Sequence, residues 1–315
     1  MTRVVVLDDY QRVAAGSARW GDLHDDVRFV HEHLGGESLV AVLADADVVV
    51  AMRERTPFDA ALLERLPALR LLVTTGATNA SIDLAAAERR GVTVCGTRSL
   101  ASPAAELTWA LLLALVRQLP QADHDLRRGG WQTTVGTELA GKTLGVLGLG
   151  RLGRRVARVG LAFDMRVIAW SQHLDPGTAR DLGVQPAAGK DELLTTSDVV
   201  SLHLRLSDRT RGIVGARELA LMKPTAYLVN ISRGPLVDED ALVAALTEGR
   251  IAGAGLDVFD REPLPRHHRL RTVPRTVLSP HLGYVTDGGY RVFYGDAVED
   301  VMAWKAGTPV RVVTA

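Results

Sequence analysis

Short runs of valine, isoleucine and leucine recur along the chain, and each gives way to a stretch whose apolar residues return at helical spacing. Two series of such runs predict strands. The first holds Arg3–Leu7, Val27–His31, Val48–Met52, Leu71–Thr74 and Val92–Cys95, and the second Thr143–Leu147, Arg166–Trp170, Val199–His203, Ala226–Ile231, Gly253–Val258 and Thr276–Leu278. The runs are mostly apolar rather than alternating, as expected of strands covered by helices on both faces, so each series predicts a doubly wound α/β domain with a parallel sheet. Between the series, Ser102-Pro103 opens a strongly apolar helix, Ala104–Leu119, predicted to end at Pro120 and to lead into a polar connection, Gln121–Gly141. Beyond Gly283 the helical pattern returns with Val292, Ala297, Val298, Val301 and Met302, a final helix predicted to rejoin the first domain. The expected division is residues 1–100 with 284–315 as a discontinuous substrate domain, and 101–283 as a second domain.

Composition narrows the function classes. With 315 residues, 47% hydrophobic and 23% charged, the chain is no extended disordered protein and has length for about two cores. Its 37 basic and 37 acidic residues balance, so no net field favours nucleic acid or an anionic membrane as partner. The longest apolar stretch, Leu107–Val116, is about half of the ~20 residues needed to span a bilayer, and reads as a buried helix. A single cysteine, Cys95, allows no internal disulfide, and acid at Asp8 and Asp9 comes too early for a secretory signal, so the cytoplasm is the expected compartment.

The run Thr143–Leu147 leads directly into Gly148-Leu149-Gly150-Arg151-Leu152-Gly153, followed by helical spacing at Val156, Val159 and Gly160. A strand, GxGxxG and a helix together are the fingerprint of a Rossmann-like dinucleotide site. The first glycine makes the turn, the second admits a pyrophosphate, the third packs the helix closely, and the helix N-terminus supplies N–H groups. Just upstream, Gly136–Thr143 also matches GxxxxGK[ST], but a phosphate loop needs its strand before it and a helix after it, and here the strand comes after. An acid for the ribose 2′-hydroxyl of NAD is expected at the end of the next strand, yet Ser171 stands there, in Trp170-Ser171-Gln172-His173. NAD and NADP therefore both remain open as cofactors.

With the glycine motif in place, the chain resembles the D-isomer-specific 2-hydroxyacid dehydrogenases, which include phosphoglycerate dehydrogenases and glyoxylate or hydroxypyruvate reductases. The resemblance spans the whole length. It rests on residues 148–153, on Val229-Asn230-Ile231-Ser232-Arg233-Gly234, on Leu256-Asp257-Val258-Phe259-Asp260-Arg261-Glu262-Pro263, and on Ser279-Pro280-His281-Leu282-Gly283. It implies a catalytic Arg233, Glu262 and His281, with Asp257 at the nicotinamide carboxamide and His281 also bordering the cofactor. The residues agree chemically: Arg233, Asp257 and His281 each follow an apolar run, the edge at which open α/β sheets bind ligands. Reduction of a 2-oxo acid needs a hydride donor, a cation for the carboxylate and an acid for the carbonyl oxygen. A carboxylate beside an imidazole orients the ring and favours its charged form.

In the first domain, Thr75-Gly76-Ala77-Thr78-Asn79 resembles the family loop whose amides hold the substrate carboxylate, with Asp83 downstream, and Arg53 in Met52–Thr56 aligns with an arginine that reaches substrate in phosphoglycerate dehydrogenases. Two departures stand out: Arg205 follows His203-Leu204 where the family has proline, and Tyr284 follows Gly283 where a glycine is common. Arg205 and Ser171 tilt the cofactor reading toward NADP, and Tyr284 is expected to narrow the substrate pocket. His31 and His33 share one predicted strand face without a third ligand, so no metal site is expected, and His267 and His268 are expected in solvent.

The reading is a two-domain oxidoreductase that moves a hydride between NAD(P)H and a small 2-oxo acid in an interdomain cleft. A homodimer is expected through the apolar helix Ala104–Leu119. The alternative is an NAD(H)-responsive binding protein like the C-terminal-binding-protein corepressors, disfavoured by the lack of a long disordered tail. The L-lactate dehydrogenase type is disfavoured because its glycine motif is expected near the N-terminus, whereas formate and phosphite dehydrogenases are nearer relatives.

Overall fold

The computed structural model describes residues 1–314 and separates into two compact units, Met1–Leu100 joined by the segment from Val285 onward, and Ala101–Tyr284. The first unit is built on a five-stranded parallel sheet of β1 (Arg3–Val6), β2 (Asp26–Phe29), β3 (Val48–Ala51), β4 (Leu71–Thr74) and β5 (Thr93–Gly96), in the order β2-β1-β3-β4-β5. Val4 pairs with Val27 and Val48 in the ladders that flank β1. Strands alternate their side chains between faces. Val5, Leu7, Val49, Ala51, Leu72 and Val94 form one core with Leu43, Phe58, Leu63 and Leu66 of the surrounding helices and loops. The helix Asp287–Lys305 packs against β4 and buries Phe293, Tyr294, Ala297, Val298 and Val301. Met302, expected inward from its spacing, is 47% exposed instead: the helix already spends its inward arc on the tyrosines and on Asp296 and Asp300.

The second unit carries seven parallel strands, β6 (Thr143–Leu147), β7 (Arg166–Trp170), β8 (Gln185–Pro186), β9 (Val199–Leu202), β10 (Tyr227–Asn230), β11 (Gly253–Leu256) and β12 (Thr276–Leu278), in the order β12-β11-β10-β9-β6-β7-β8. Read from β8, this is the dinucleotide-binding order 3-2-1-4-5-6 with one strand added. The neighbours β6 and β9 place the topological switch point beside the glycine turn. Two cores lie on the two faces, one holding Leu147, Val200, Leu202 and Leu228, the other Leu144, Val146, Val199 and Val229. The strand β8 has no run of its own in the sequence because a two-residue edge strand is too short to show a period.

The apolar helix spans Ser102–Val116 and stops where Gln118 adopts a left-handed φ of 52°. Pro120 does not end a helix but opens a second one, Leu119–Arg127, within what was expected to be a polar connection. In the first turn proline loses no hydrogen bond, which is why it suits that position. The first helix is consumed by its own unit, with Trp109, Leu111, Leu112, Leu115 and Val116 buried against β10, β11, β12 and the helix Arg151–Ala162. Its apolarity is therefore core and not spare surface, contrary to the reason given for a dimer. Among the described residues no helix is long and apolar enough to cross a membrane.

Candidate active site

All the sequence-chosen residues of the second unit lie at the C-terminal edge of its sheet, immediately after β6, β7, β9, β10, β11 and β12. After β6, Gly148 has φ +101°, and a Cβ there would stand 2.5 Å from the His203 carbonyl oxygen. A Cβ on Gly153 would stand 2.0 Å from the Gly148 carbonyl oxygen, so turn and helix close on each other only as glycines. Gly150 faces open space and caps the helix Arg151–Ala162 through its backbone alone, with no side-chain cap. The first turn, Arg151-Leu152-Gly153, carries no acid. An uncapped helix N-terminus behind an open glycine is a fit for a pyrophosphate.

His203, across from Gly148, is held by Ser201 Oγ at 2.8 Å from Nε2. Burial pushes its imidazole down to about 3, so the ring is neutral. Its Nδ1 is buried with no hydrogen-bond partner among the described residues, an orphaned acceptor or donor on the rim where a nucleotide would lie. Ser171 ends β7 as expected, but the Arg205 side chain is exposed and His173 is exposed too. The guanidinium that reaches this segment is Arg209, whose Nη1 donates to Gln172 Oε1 at 2.8 Å. Sequence reasoning missed Arg209 because no spacing rule ties it to residue 172.

After β10, the Asn230 amide donates to the Arg233 carbonyl at 2.8 Å and accepts the Ser232 N–H at 3.0 Å, while Ser232 Oγ donates to the Leu202 carbonyl at 2.7 Å. These bonds knot the loop under Arg233, whose Nη1 donates to the Ser232 carbonyl at 2.7 Å. After β11, Asp257 is fully buried. Its Oδ1 accepts Ser279 Oγ–H at 2.5 Å and the Leu282 N–H at 2.7 Å, and its Oδ2 accepts the Gly283 N–H at 2.8 Å. Burial raises its carboxyl above the ordinary range against the pull of those donors. Expected at the nicotinamide carboxamide, Asp257 is found spending both oxygens on the turn that carries His281.

His281 sits in that turn with φ +55°, and its N–H donates to the Asp257 carbonyl at 2.8 Å. Its Nδ1 stands 2.5 Å from Glu262 Oε2, and Glu262 Oε1 accepts the Phe259 N–H at 2.9 Å, so the carboxylate is oriented before it orients the ring. The side chains are 17% and 28% exposed. With Nδ1 taken, Nε2 is the ring nitrogen left for a ligand.

In the first unit, Arg53 has φ +52° and its Nη1 donates to the Thr75 carbonyl at 3.1 Å. A Cβ on Gly76, itself at φ +94°, would stand 1.6 Å from that Nη1, so the guanidinium reaches the loop only because residue 76 has no side chain. The Gly76 N–H donates to Thr97 Oγ1 at 2.7 Å. Of the two expected amides, Gly76 is thus engaged within the loop, whereas Ala77 is exposed. Asp83 caps the helix Leu84–Arg89, accepting the Ala86 N–H at 2.8 Å. His31 and His33 lie past the end of β2 and stand 3.3 and 3.4 Å from Asp9 and Asp8. In the second unit His268, expected in solvent, caps the helical turn Arg269–Arg271 and stands 2.9 Å from Glu239.

The chain matches the family model "D-isomer specific 2-hydroxyacid dehydrogenase, NAD binding domain" over residues 109–283. It is 42% identical over 260 residues to a glyoxylate reductase of Aeropyrum pernix, covering 79% of this chain and 77% of that protein. It is 38% identical over 277 residues to a D-3-phosphoglycerate dehydrogenase of Methanocaldococcus jannaschii, covering 84% of this chain and 52% of that longer protein. A phosphoglycerate oxidoreductase from Vibrio cholerae shares its structure with a TM-score of 0.93 and 37% identity, over 98% of this chain and 100% of that one. The chain belongs to the D-isomer specific 2-hydroxyacid dehydrogenases and is an NAD(P)-dependent oxidoreductase of 2-hydroxy acids.

Proposed function

We propose that Arg233, Glu262 and His281 form the catalytic group and that the preferred substrate is a small 2-oxo acid such as glyoxylate. The observation that carries this reading is the 2.5 Å contact between His281 Nδ1 and Glu262 Oε2 at the C-terminal edge of the sheet. Glu262 fixes the ring and balances its charge, and His281 Nε2 gives its proton to the carbonyl oxygen as negative charge develops there. Arg233 grips the substrate carboxylate, and Asp257 acts behind them as a positioning residue. The reduced nicotinamide supplies the hydride. Gly148, Gly150, Gly153 and the first turn of the helix Arg151–Ala162 hold its pyrophosphate, with His203 Nδ1 beside them. In the first unit, the loop of Gly76 and Ala77 with Arg53 upon it is the proposed substrate-binding segment. The name of the Aeropyrum relative supports glyoxylate as the substrate class.

NADP is proposed to be accepted alongside NAD, because Ser171 brings no negative charge and Arg209 reaches the neighbouring residue. Ser171→Asp should shift the kcat/KM ratio toward NADH by about 1–3 kcal/mol. A wild type that refuses NADPH by several orders of magnitude would place the choice elsewhere. A homodimer is proposed through the exposed apolar side chains Leu119, Leu126, Trp131 and Val135, the last two 77% and 88% exposed. The proposed compartment is the cytoplasm, in keeping with Cys95 as a single buried free thiol.

The test is His281→Ala, which should lower kcat on glyoxylate by about 10²- to 10⁴-fold while cofactor affinity, read by nicotinamide fluorescence, stays within a few-fold. Near-wild-type turnover would end the assignment.

A further inference from the structure

Tyr284 lies one residue beyond the turn that Asp257 ties down. Its ring meets the His281 imidazole edge-to-face, with centroids 5.5 Å apart and an interplanar angle of 68°. The residue is half-buried and its hydroxyl oxygen is fully covered. Gly283, which joins it to the turn, is itself held by the Asp257 carboxylate at 2.8 Å. The backbone that carries both rings is therefore anchored at one carboxylate.

A carbonyl oxygen that takes a proton from Nε2 must come within about 2.6–3.2 Å of it, which puts the reacting carbon within roughly 4 Å. The third and fourth carbons of a longer 2-oxo acid then sweep out to about 6 Å from Nε2, given ~1.5 Å per bond. The phenol ring, its centre 5.5 Å from that of the imidazole, stands at a comparable distance. Glyoxylate has no third carbon to reach that far, whereas a branched aliphatic chain extends to the distance at which the ring stands.

We propose that Tyr284 is a specificity-determining residue, its ring excluding 2-oxo acids with branched or aromatic side chains from the His281 acid. The proposal rests on the reading of His281 as proton donor. The ring and not the hydroxyl does the excluding, so alanine and phenylalanine should behave differently at this position.

The experiment compares kcat/KM for glyoxylate and for 2-oxo-4-methylpentanoate in the wild type, Tyr284→Ala, Tyr284→Phe and His281→Ala. Alanine should raise the bulky-to-small ratio by roughly 10- to 100-fold, the size expected when a few methylenes gain room. Phenylalanine should keep the wild-type ratio within about two-fold. Should alanine fail to give folded protein, Tyr284→Trp carries the test in the other direction, lowering the ratio. An unchanged ratio in alanine or tryptophan, or a phenylalanine variant that matches alanine, overturns the proposal. If His281→Ala keeps its turnover, the underlying assignment has failed. If it loses turnover while the ratio stays put in the Tyr284 variants, only the specificity proposal has.

Discussion

The two units use buried charge in opposite ways. At the rim of the second unit the carboxylates are satisfied mainly by neutral donors: Asp257 takes the Ser279 hydroxyl and two backbone N–H groups, and Glu262 takes the Phe259 N–H. Glu262 also stands 2.5 Å from Nδ1 of His281, the group proposed to react. In the first unit the buried acids of the last helix are matched by arginines. Asp296 accepts the Arg98 N–H at 2.8 Å and its Nη2 at 2.6 Å, and Asp300 accepts Arg311 Nε at 3.0 Å. Lys305 similarly reaches Asp25 at 2.6 Å, from the end of that helix to the start of β2. The lesson is one of purpose. The first unit is made of two distant chain segments, and Arg98 with Asp296 and Lys305 with Asp25 clasp one to the other, whereas at the rim of the second a hydroxyl and backbone N–H groups hold the carboxylates that stand behind His281.

That contrast orders the expected effects. Loss of the His281 proton donor stands first, as given above. Arg233→Lys comes next: a lysine cannot reproduce two parallel hydrogen bonds to a carboxylate, so kcat/KM should fall roughly 10- to 100-fold, with KM raised and kcat lowered. The melting temperature should hardly move. Steady-state kinetics with both parameters unchanged would remove Arg233 from the rim's working set.

Asp296→Ala should do the reverse. It leaves the Arg98 N–H and guanidinium without their acceptor and should lower stability by about 1–3 kcal/mol, seen as an earlier thermal transition, while kcat on the folded enzyme stays near wild type. A variant that keeps its stability and loses turnover would erase the distinction between the units.

The smallest effect is a slope. Burial pushes Asp300 up to about 7 in spite of Arg311, whereas Asp296, also buried, is held below the ordinary carboxylate range by Arg98. A carboxyl titrating near 4 when unfolded and near 7 when folded keeps a proton in the native state that the unfolded chain sheds, so its contribution to stability falls as pH rises from 4 to 7. Asp300→Asn has no such proton. The wild-type-minus-variant difference in unfolding free energy should therefore decrease across that window, and a flat difference would show that Arg311 compensates the buried charge completely.

Much of this was legible along the chain. Leu71–Thr74, Thr143–Leu147, Arg166–Trp170 and Thr276–Leu278 form strands with the bounds their mostly apolar runs predict, as expected where helices cover a parallel sheet. Gly148 and Gly153 announced a close turn between strand and helix. Pro120 misled, since the same residue can end one helix or open the next, and which it does depends on the left-handed break at Gln118. His268 gave no local sign of its contact with Glu239, nor Gly76 of the guanidinium lying on it.

By itself the sequence determined the two parallel sheets and the glycine turn, consequences of short-range periodicity and of backbone sterics, while Arg233, Asp257, Glu262 and His281 were picked out by the motifs that resemble the family. Only the tertiary structure decided which partner each polar group meets: Asp257 with the turn after β12, Glu262 with His281, Arg209 with Gln172, Arg98 with Asp296. Those pairings join residues from 19 to 198 positions apart, and no residue spacing encodes them, because what brings the groups together is the stacking of strands and helices and the cost of leaving a buried charge or N–H unsatisfied.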